Sequence, residues 1–339
     1  MIYAFPGLTW ERTLVVETTM IHILHLSFVQ VLPIFLLIML GYLVRRLHLV
    51  DDHFIAQANR VLYFVCLPLL LFYLIATCDL YSFYNFQLLI GSTIPLVIVV
   101  LISYAYTKIY GLSPAVRGSF IQTTFRGNIV YIAFALIYSL YGEEALRIGS
   151  ILLAFLGIIV NLLSVLSFVV PNRHQLTENI FANLLRSVLV NPIIISCMLG
   201  VLGSLVSIPM PKVLENSFQF ISNMTLPLAL LVIGSSFSFQ SIRNSYIQPL
   251  IASLFKLLIL PAITALFLAW FDLDPMYLAV GVIAAAAPTA SISCVFARQF
   301  GGDVNFANAV VMLSTGLSLL TCPLVIFLLR TGWIGSASS

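Results

Sequence analysis

The stretch VLPIFLLIMLGYLV, residues 31–44, decides the fold because parts of it recur in the second half of the chain. Pro33 is matched by Pro192, and the tripeptide MLG at residues 39–41 is matched by MLG at residues 198–200. Both matches are 159 residues apart. A fixed separation that also preserves neighbouring residues indicates two copies of one structural unit.

The same separation relates the second segment of each copy. The tripeptide LPL occurs at residues 67–69 and again at residues 226–228. Pro68 and Pro227 at their centres are interpreted as hinge or kink positions, because a proline removes a helical hydrogen bond. The repeat therefore covers at least two consecutive segments in each half.

The composition places both copies in a lipid bilayer. Hydrophobic residues make up 61% of the 339 residues and charged residues only 8%, whereas ordinary soluble domains contain about 25% charged residues. The mean hydropathy is +1.10. A water-soluble core cannot absorb this excess, so the bilayer must act as the solvent. The net charge of +3, without a run rich in Lys and Arg, is too small to imply a nucleic-acid partner, and we expect none.

Ten segments have the length of about 20 apolar residues that a membrane-spanning helix needs. They cover approximately residues 21–44, 55–78, 86–109, 115–140, 145–170, 184–208, 213–239, 247–271, 275–299 and 306–330. We predict an all-α polytopic membrane protein with ten transmembrane helices. Because each copy has an odd number of helices, the second copy enters the membrane from the opposite side. Such inverted-topology repeats are typical of secondary transporters.

The repeat divides the chain into five parts. These are an N-terminal extension (1–19), the first five-helix repeat (20–171), a cytoplasmic connection (172–183), the second five-helix repeat (184–331) and a C-terminal tail (332–339). Met20 opens the first long apolar run, and we hypothesise that it is the native start. Sequencing the N-terminus of the natively expressed protein tests this, and a mature chain that begins before Met20 would contradict it.

Positive charge predicts the orientation in the membrane. The loops on one side carry nine Lys and Arg residues, and the opposite side, which includes both termini, carries four. We therefore expect a multi-pass protein of the cell inner (plasma) membrane with both termini outside. Trp10, Trp270 and Trp333 fall near helix ends on the predicted outer side, where they would act as interfacial anchors.

Two of the segments are interrupted near their middles. The fourth contains TTFRGN at residues 123–128, and the ninth contains AAAAPTAS at residues 284–291. Gly127 and Pro288 are 161 residues apart, so the interruptions occupy corresponding places in the two copies. We predict crossed, broken fourth and ninth helices, whose half-helix N-termini favour an anion such as a carboxylate.

Ionisable residues identify the candidate binding site. All twelve acidic residues and all five histidines fall in loops or towards segment ends, whereas Arg126 and Lys256 lie deep in their segments. A charge at the bilayer centre costs at least about 2.5 kcal/mol, so such residues are functional candidates. The alternative is a structural role, either at the crossing or in joining helices. The candidate substrate-binding residues are Arg126, Gly127, Asn128, Pro288, Thr289, Ser291, Asn161, Asn223 and Lys256.

The sequence predicts neither a cofactor nor a metal. Its five cysteines form no CxxC or Cys/His spacing, and it contains no HExxH motif and no paired acids at depth. We therefore expect no enzymatic activity. The expected partners are a small organic anion and the lipid bilayer, and a homodimer is left open.

Six stretches, in the same order along the chain, resemble the auxin efflux carrier family of bacterial and plant membrane transporters. They are VLPIFLLIMLGYLVRR (31–46), VLYFVCLPLLLF (61–72), FRGNIVYIAFALIYSLYGEEAL (125–146), TLPLALLVIGSSF (225–237), AAAAPTASISCVFARQFGGD (284–303) and VVMLSTGLSLLTCPLVIFLL (310–329). The resemblance implies two inverted five-helix halves, crossed fourth and ninth helices and elevator-like alternating access. It also implies transport of carboxylate-bearing anions such as malate and malonate.

The sequence thus favours a secondary transporter that exports a mono- or dicarboxylate by alternating access around a midplane site. Because neither an acid nor a histidine lies at depth, the membrane potential is the expected driving force. A sodium-coupled symporter of similar architecture, with Asn128 and Thr289 among the Na⁺ ligands, is one alternative. A non-transporting membrane sensor is another.

Overall fold

The computed structural model describes residues 7–171, 190–206, 210–237 and 246–332, with side chains described from Met20 onward. Throughout these residues the fold is helical and has no β-strand, which confirms the predicted all-α class. In chain order the helices are α1 (Gly7–Arg46), α2 (Asp52–Ala76), α3 (Leu80–Phe83), α4 (Phe86–Ile109), α5 (Pro114–Phe125), α6 (Ile129–Val169), α7 (Pro192–Leu205), α8 (Lys212–Ser235), α9 (Ile247–Trp270), α10 (Pro275–Ala286), α11 (Ile292–Gln299) and α12 (Val304–Arg330).

Seven helices in the described ranges are long and apolar enough to cross a membrane. They are α1 from Met20 onward, α2, α4, α6, α8, α9 and α12. Two further apolar helices, α7 and α10, are shorter. The chain is therefore built as a polytopic membrane protein.

Each of the ten predicted segments coincides at least in part with a described helix. The fourth segment consists of α5 and the beginning of α6, and the ninth consists of α10 and α11. α6 also contains the fifth segment. Between the fourth and fifth segments the chain turns at Gly142, with a φ of 75° that glycine tolerates. The connection at residues 172–183 and the tail beyond Gly332 lie outside the described residues. The number of ten spans and their inverted topology stay predictions.

The start of α1 and the end of α9 relate to the predicted N-terminal extension and to the predicted interfacial tryptophans. α1 begins at Gly7, so its backbone runs without interruption from the predicted N-terminal extension into the first apolar span. Trp270 ends α9 and is 87% exposed, while the side chains of Trp10 and Trp333 lie outside the described part of the chain. The side of the membrane on which the termini lie stays a prediction.

Glycines bring two pairs of helices into close contact. A Cβ at Gly41 of α1 would overlap the backbone carbonyl of Leu231 in α8. A Cβ at Gly200 of α7 would lie 2.9 Å from Ile75 Cβ and 3.3 Å from the carbonyl oxygen of Phe72 in α2. The α1–α8 and α2–α7 pairs therefore pack backbone against backbone, as small residues allow in membrane proteins.

Irregular helical turns lie near the interruptions. π-helical turns occur at Leu62–Cys66 in α2, at Ile129–Ala133 at the start of α6 and at Phe255–Ile259 in α9. The first ends at Cys66, two residues before Pro68, whereas Pro227 lies inside the continuous helix α8. π-turns are frequent at functional sites, which makes α2, α6 and α9 the helices of interest around the interruptions.

Candidate functional site

The two interrupted segments meet at their breaks. Gly127 and Thr289 form an isolated antiparallel bridge. The Asn128 N–H donates to the Pro288 carbonyl at 2.7 Å, and the Ala290 N–H donates to the Arg126 carbonyl at 3.0 Å. Backbone groups released by each break are thus satisfied by the other, as irregular backbone inside a membrane protein requires.

Thr289 holds this contact together. Its hydroxyl donates to the Thr123 carbonyl at 2.9 Å, and its N–H donates to the Ser314 hydroxyl at 3.1 Å. The residue is 1% exposed. These bonds fit the structural alternative for Thr289 better than the ligand-binding interpretation.

Arg126 directly follows α5 as its C-cap residue and is almost fully buried. Its guanidinium donates to the Asn161 side-chain oxygen at 3.0 Å and to the Ser164 hydroxyl at 2.8 Å, both on α6. The Phe296 ring of α11 stacks on it, with the guanidinium carbon 4.4 Å from the ring centroid. These three partners are neutral, so among the described residues they orient the guanidinium without compensating its positive charge.

Arg126 and its partner Asn161 line a cavity of about 420 Å³. Five of the predicted site residues line it: Arg126, Gly127, Asn128, Asn161 and Ser291. The first turns of α6 and α11 also line it, with Ile129, Val130 and Ile292. The remaining walls are mostly apolar side chains of α2, α6, α7 and α11. One buried cation and two helix N-termini beside an apolar cavity suit an anion of small size.

Three polar residues of the cavity wall were missed by the sequence analysis: Asn59, Tyr63 and Asn191. Asn59, Tyr63 and Leu67 follow one another at intervals of four residues, so they lie on one face of α2. Because Leu67 belongs to the repeated LPL tripeptide, this spacing could have identified Asn59 and Tyr63 from the sequence.

The other predicted residues lie elsewhere. Lys256 is fully buried behind the break, where its ammonium donates to the Ala285 carbonyl at 2.5 Å. A Cβ on Gly127 would lie 3.0 Å from that nitrogen. Asn223 and Pro227 line a second cavity, and Pro288 contributes its carbonyl to the contact between the breaks. The structure thus brings only part of the predicted set to the main cavity.

Comparison with known proteins identifies the family of this chain. A protein of Rhizobium meliloti described as "Putative malonate transporter" is 23% identical over 312 residues, which cover 89% of this chain and 95% of that protein. A protein of Methanothermobacter thermautotrophicus described as "Uncharacterized transporter" is 22% identical over 307 residues, covering 87% and 95%. The family described as "Membrane transport protein" matches residues 26–326. Because that match covers most of the chain, this protein belongs to the membrane transport protein family, which is the auxin efflux carrier family indicated by its sequence motifs.

Proposed function

We propose that this chain is a secondary transporter that exports a small mono- or dicarboxylate across the cell inner (plasma) membrane. The observation that carries the proposal is the Arg126 guanidinium, which is held by neutral partners at the wall of the 420 Å³ cavity. A buried cation without a counter-charge favours an anionic ligand. A carboxylate would accept hydrogen bonds from the guanidinium while its carbon chain contacts the apolar walls.

A dicarboxylate of the size of malonate is the ligand that we favour. The name of the Rhizobium meliloti relative points to malonate, and a cavity of this volume has room for a three-carbon diacid. The second carboxylate has two candidate partners, namely the N-termini of α6 and α11 and the polar wall formed by Asn59, Tyr63 and Asn191.

Alternating access between inverted halves is the mechanism that we propose. The glycine contacts support it, because Gly41 and Gly200 are 159 residues apart and so are their contact residues Phe72 and Leu231. The α1–α8 and α7–α2 pairs are thus related by the sequence repeat. In this scheme α1, α2, α7 and α8 form a scaffold, and the interrupted segments move against it with the bound anion.

The proposed direction of transport follows from the negative charge of the ligand. A negative charge that leaves a cell with a negative interior gains about 2.3 kcal/mol per 100 mV, so the membrane potential alone can drive efflux. Proteoliposomes loaded with malonate test this: efflux should accelerate when the interior is made negative. Transport that ignores the potential and follows a sodium gradient would support the symporter instead.

Ligand binding can be tested separately from transport. Malonate at 100 times its Kd should stabilise the purified protein by about 2.7 kcal/mol, observed as a raised melting temperature. The neutral analogue malonamide should not do so. Arg126→Ala should abolish the stabilisation, whereas Arg298→Ala, which removes an exposed arginine of α11, should preserve it. Stabilisation that survives Arg126→Ala unchanged would remove Arg126 from the binding site.

A further inference from the structure

Lys256 joins α9 to the C-terminal end of the half-helix α10. Its side chain is fully buried, and its ammonium donates to the carbonyl of Ala285, in the last turn of α10, at 2.5 Å. A Cβ on Gly127 would lie 3.0 Å from the ammonium nitrogen and 3.1 Å from Lys256 Cε. The ammonium is therefore held between the carbonyl end of one interrupted segment and the break of the other.

The carbonyl ends of half-helices are places that attract a cation. The last carbonyls of a helix have no partner within it, and together they carry partial negative charge. In transporters built from interrupted helices, these ends and the unwound backbone typically coordinate the coupling sodium ion or proton. Here side chains engage both ends: Lys256 donates to Ala285 of α10, and the Thr289 hydroxyl donates to the Thr123 carbonyl in the last turn of α5 at 2.9 Å.

A void of about 20 Å³ borders Lys256. Its polar side chains are Lys256, Ser92 and Thr264, and its described lining residues include no acid. The Ser92 hydroxyl is buried and has no hydrogen-bond partner among the described residues. A void of this size holds about one water molecule, so it has no room for a hydrated sodium ion beside the ammonium.

The void and the cavity of about 420 Å³ share a wall. Gly127, Ile129, Leu156 and Val160 line both of them. A single layer of residues therefore separates the space beside Lys256 from the space beside the proposed anion site. Because Gly127 belongs to that layer, the packing of Lys256 acts directly on the backbone that borders the ligand cavity.

The sequence repeat indicates that the fold does not need a lysine at this position. QLLIGS at residues 87–92 of α4 is matched by QPLIAS at residues 248–253 of α9, 161 residues apart, which is also the separation of the two breaks. At this separation Lys256 corresponds to Pro95, which is buried inside α4. The first copy thus forms the same helix without a cation, so the charge of Lys256 serves something other than helix formation.

We propose that the Lys256 ammonium takes the place of a coupling sodium ion at the C-terminal end of α10, so that transport does not require sodium. The inference rests on the proposed transport of carboxylates and makes Lys256 a positioning residue for the break. A coordinated ion enters and leaves its site, whereas an ammonium that belongs to the chain stays. The break therefore keeps its cation at every stage, and no ion has to accompany the anion.

The sodium response of a variant without the ammonium tests the proposal. Lys256→Ala leaves the Ala285 carbonyl and the Ser92 hydroxyl beside an enlarged void, which sodium can then occupy. Malonate efflux from proteoliposomes is measured at one fixed membrane potential, with sodium chloride or choline chloride at equal concentration on both sides. The wild-type protein should transport equally in both salts. Lys256→Ala should lose transport in choline chloride and regain it in sodium chloride.

Two further variants separate charge from bulk. Lys256→Gln keeps a neutral donor and fills most of the space, so its transport should be reduced in both salts and sodium should not restore it. Lys108→Ala removes an exposed lysine from the last turn of α4 and should behave as the wild type. Melting temperatures give a readout that needs no transport: sodium chloride, compared with choline chloride, should stabilise Lys256→Ala alone.

Several outcomes would overturn the inference and leave carboxylate transport intact. These are wild-type transport that requires sodium, Lys256→Ala transport that is equal in both salts, and a folded Lys256→Ala whose transport and melting temperature both ignore sodium. If Lys256→Ala does not fold, wild-type transport by Lys256→Gln in choline chloride would overturn it instead. A wild-type protein that moves no malonate in either salt would reject the proposed function, while sodium stabilisation of Lys256→Ala would still support the cation position.

Discussion

Arg126 and Lys256 are both buried cations beside the breaks, and they face opposite ways. Lys256 donates to the Ala285 carbonyl in the last turn of α10, a position that suits positive charge because helix C-termini carry partial negative charge. The Arg126 guanidinium instead donates to Asn161 and Ser164 of α6. Arg126 borders the 420 Å³ cavity, whereas Lys256 lies behind Gly127 beside a void of only about 20 Å³. We therefore expect a buried charge to bind a ligand only where a cavity gives the ligand access to it.

Replacing each cation by a neutral residue should give the largest effect, because it distinguishes ligand binding by Arg126 from a structural role of Lys256. Arg126→Gln removes charge-assisted hydrogen bonds of about 1.5–3 kcal/mol, so malonate affinity should fall by about 10- to 150-fold. Lys256→Gln should lower the melting temperature and change affinity by less than about 3-fold, because Lys256 does not line the cavity. Calorimetric titration of both purified variants measures this. Equal losses of affinity would mean that the two cations act on the ligand together.

Gly127→Ala tests the packing of Lys256 against the break. Its new Cβ would lie 3.0 Å from the Lys256 ammonium and 3.4 Å from the Ala287 carbonyl oxygen, so overpacking should cost about 1–3 kcal/mol of stability. In a Lys256→Ala background the cost should shrink, since the nearest atom has been removed. Gly157→Ala is the control, because nothing lies within 4 Å of its Cβ. Thermal unfolding of the four proteins and the control measures the coupling.

The sequence could predict the membrane class, the two breaks and the burial of both cations. Apolar length, the 159-residue repeat and the positions of glycine and proline are local or periodic properties, which the sequence records directly. Asn161 could be proposed as polar and deep, but its bond to Arg126 depends on how α5 packs on α6.

Side-chain direction could not be predicted. Thr289 was a candidate ligand residue, yet its hydroxyl and its N–H are both engaged with Thr123 and Ser314. Phe296, which stacks on the guanidinium, lies 170 residues after Arg126 and has an ordinary apolar neighbourhood in the sequence. Contacts between the two halves arise only after folding, so a single sequence shows the candidates without their partners.

Phe296→Leu tests how much the aromatic ring on the Arg126 guanidinium contributes to ligand binding. Leucine keeps most of the apolar volume but removes the ring above the guanidinium, and such cation–π contacts are worth about 0.5–2 kcal/mol. Malonate affinity should therefore fall by up to about 30-fold, because Arg126 is less firmly oriented. Phe300→Leu is the control. The Phe300 ring packs on Phe296, with centroids 5.8 Å apart, whereas Phe296 is the ring that stacks on the guanidinium. The control should therefore leave affinity near the wild-type value. The same titration distinguishes the two.

Tyr63→Phe should have the smallest effect, and it tests how far the ligand reaches from Arg126. Tyr63 lines the cavity from α2, whereas Arg126 lies on the interrupted segment. Loss of one neutral hydrogen bond costs about 0.5–1.5 kcal/mol, so affinity for malonate should fall by about 2- to 12-fold. Tyr81→Phe, at an 83% exposed position, should change nothing. An unchanged affinity in Tyr63→Phe beside a large loss in Arg126→Gln would confine the anion to the interrupted segments and exclude a hydrogen bond from Tyr63 of α2.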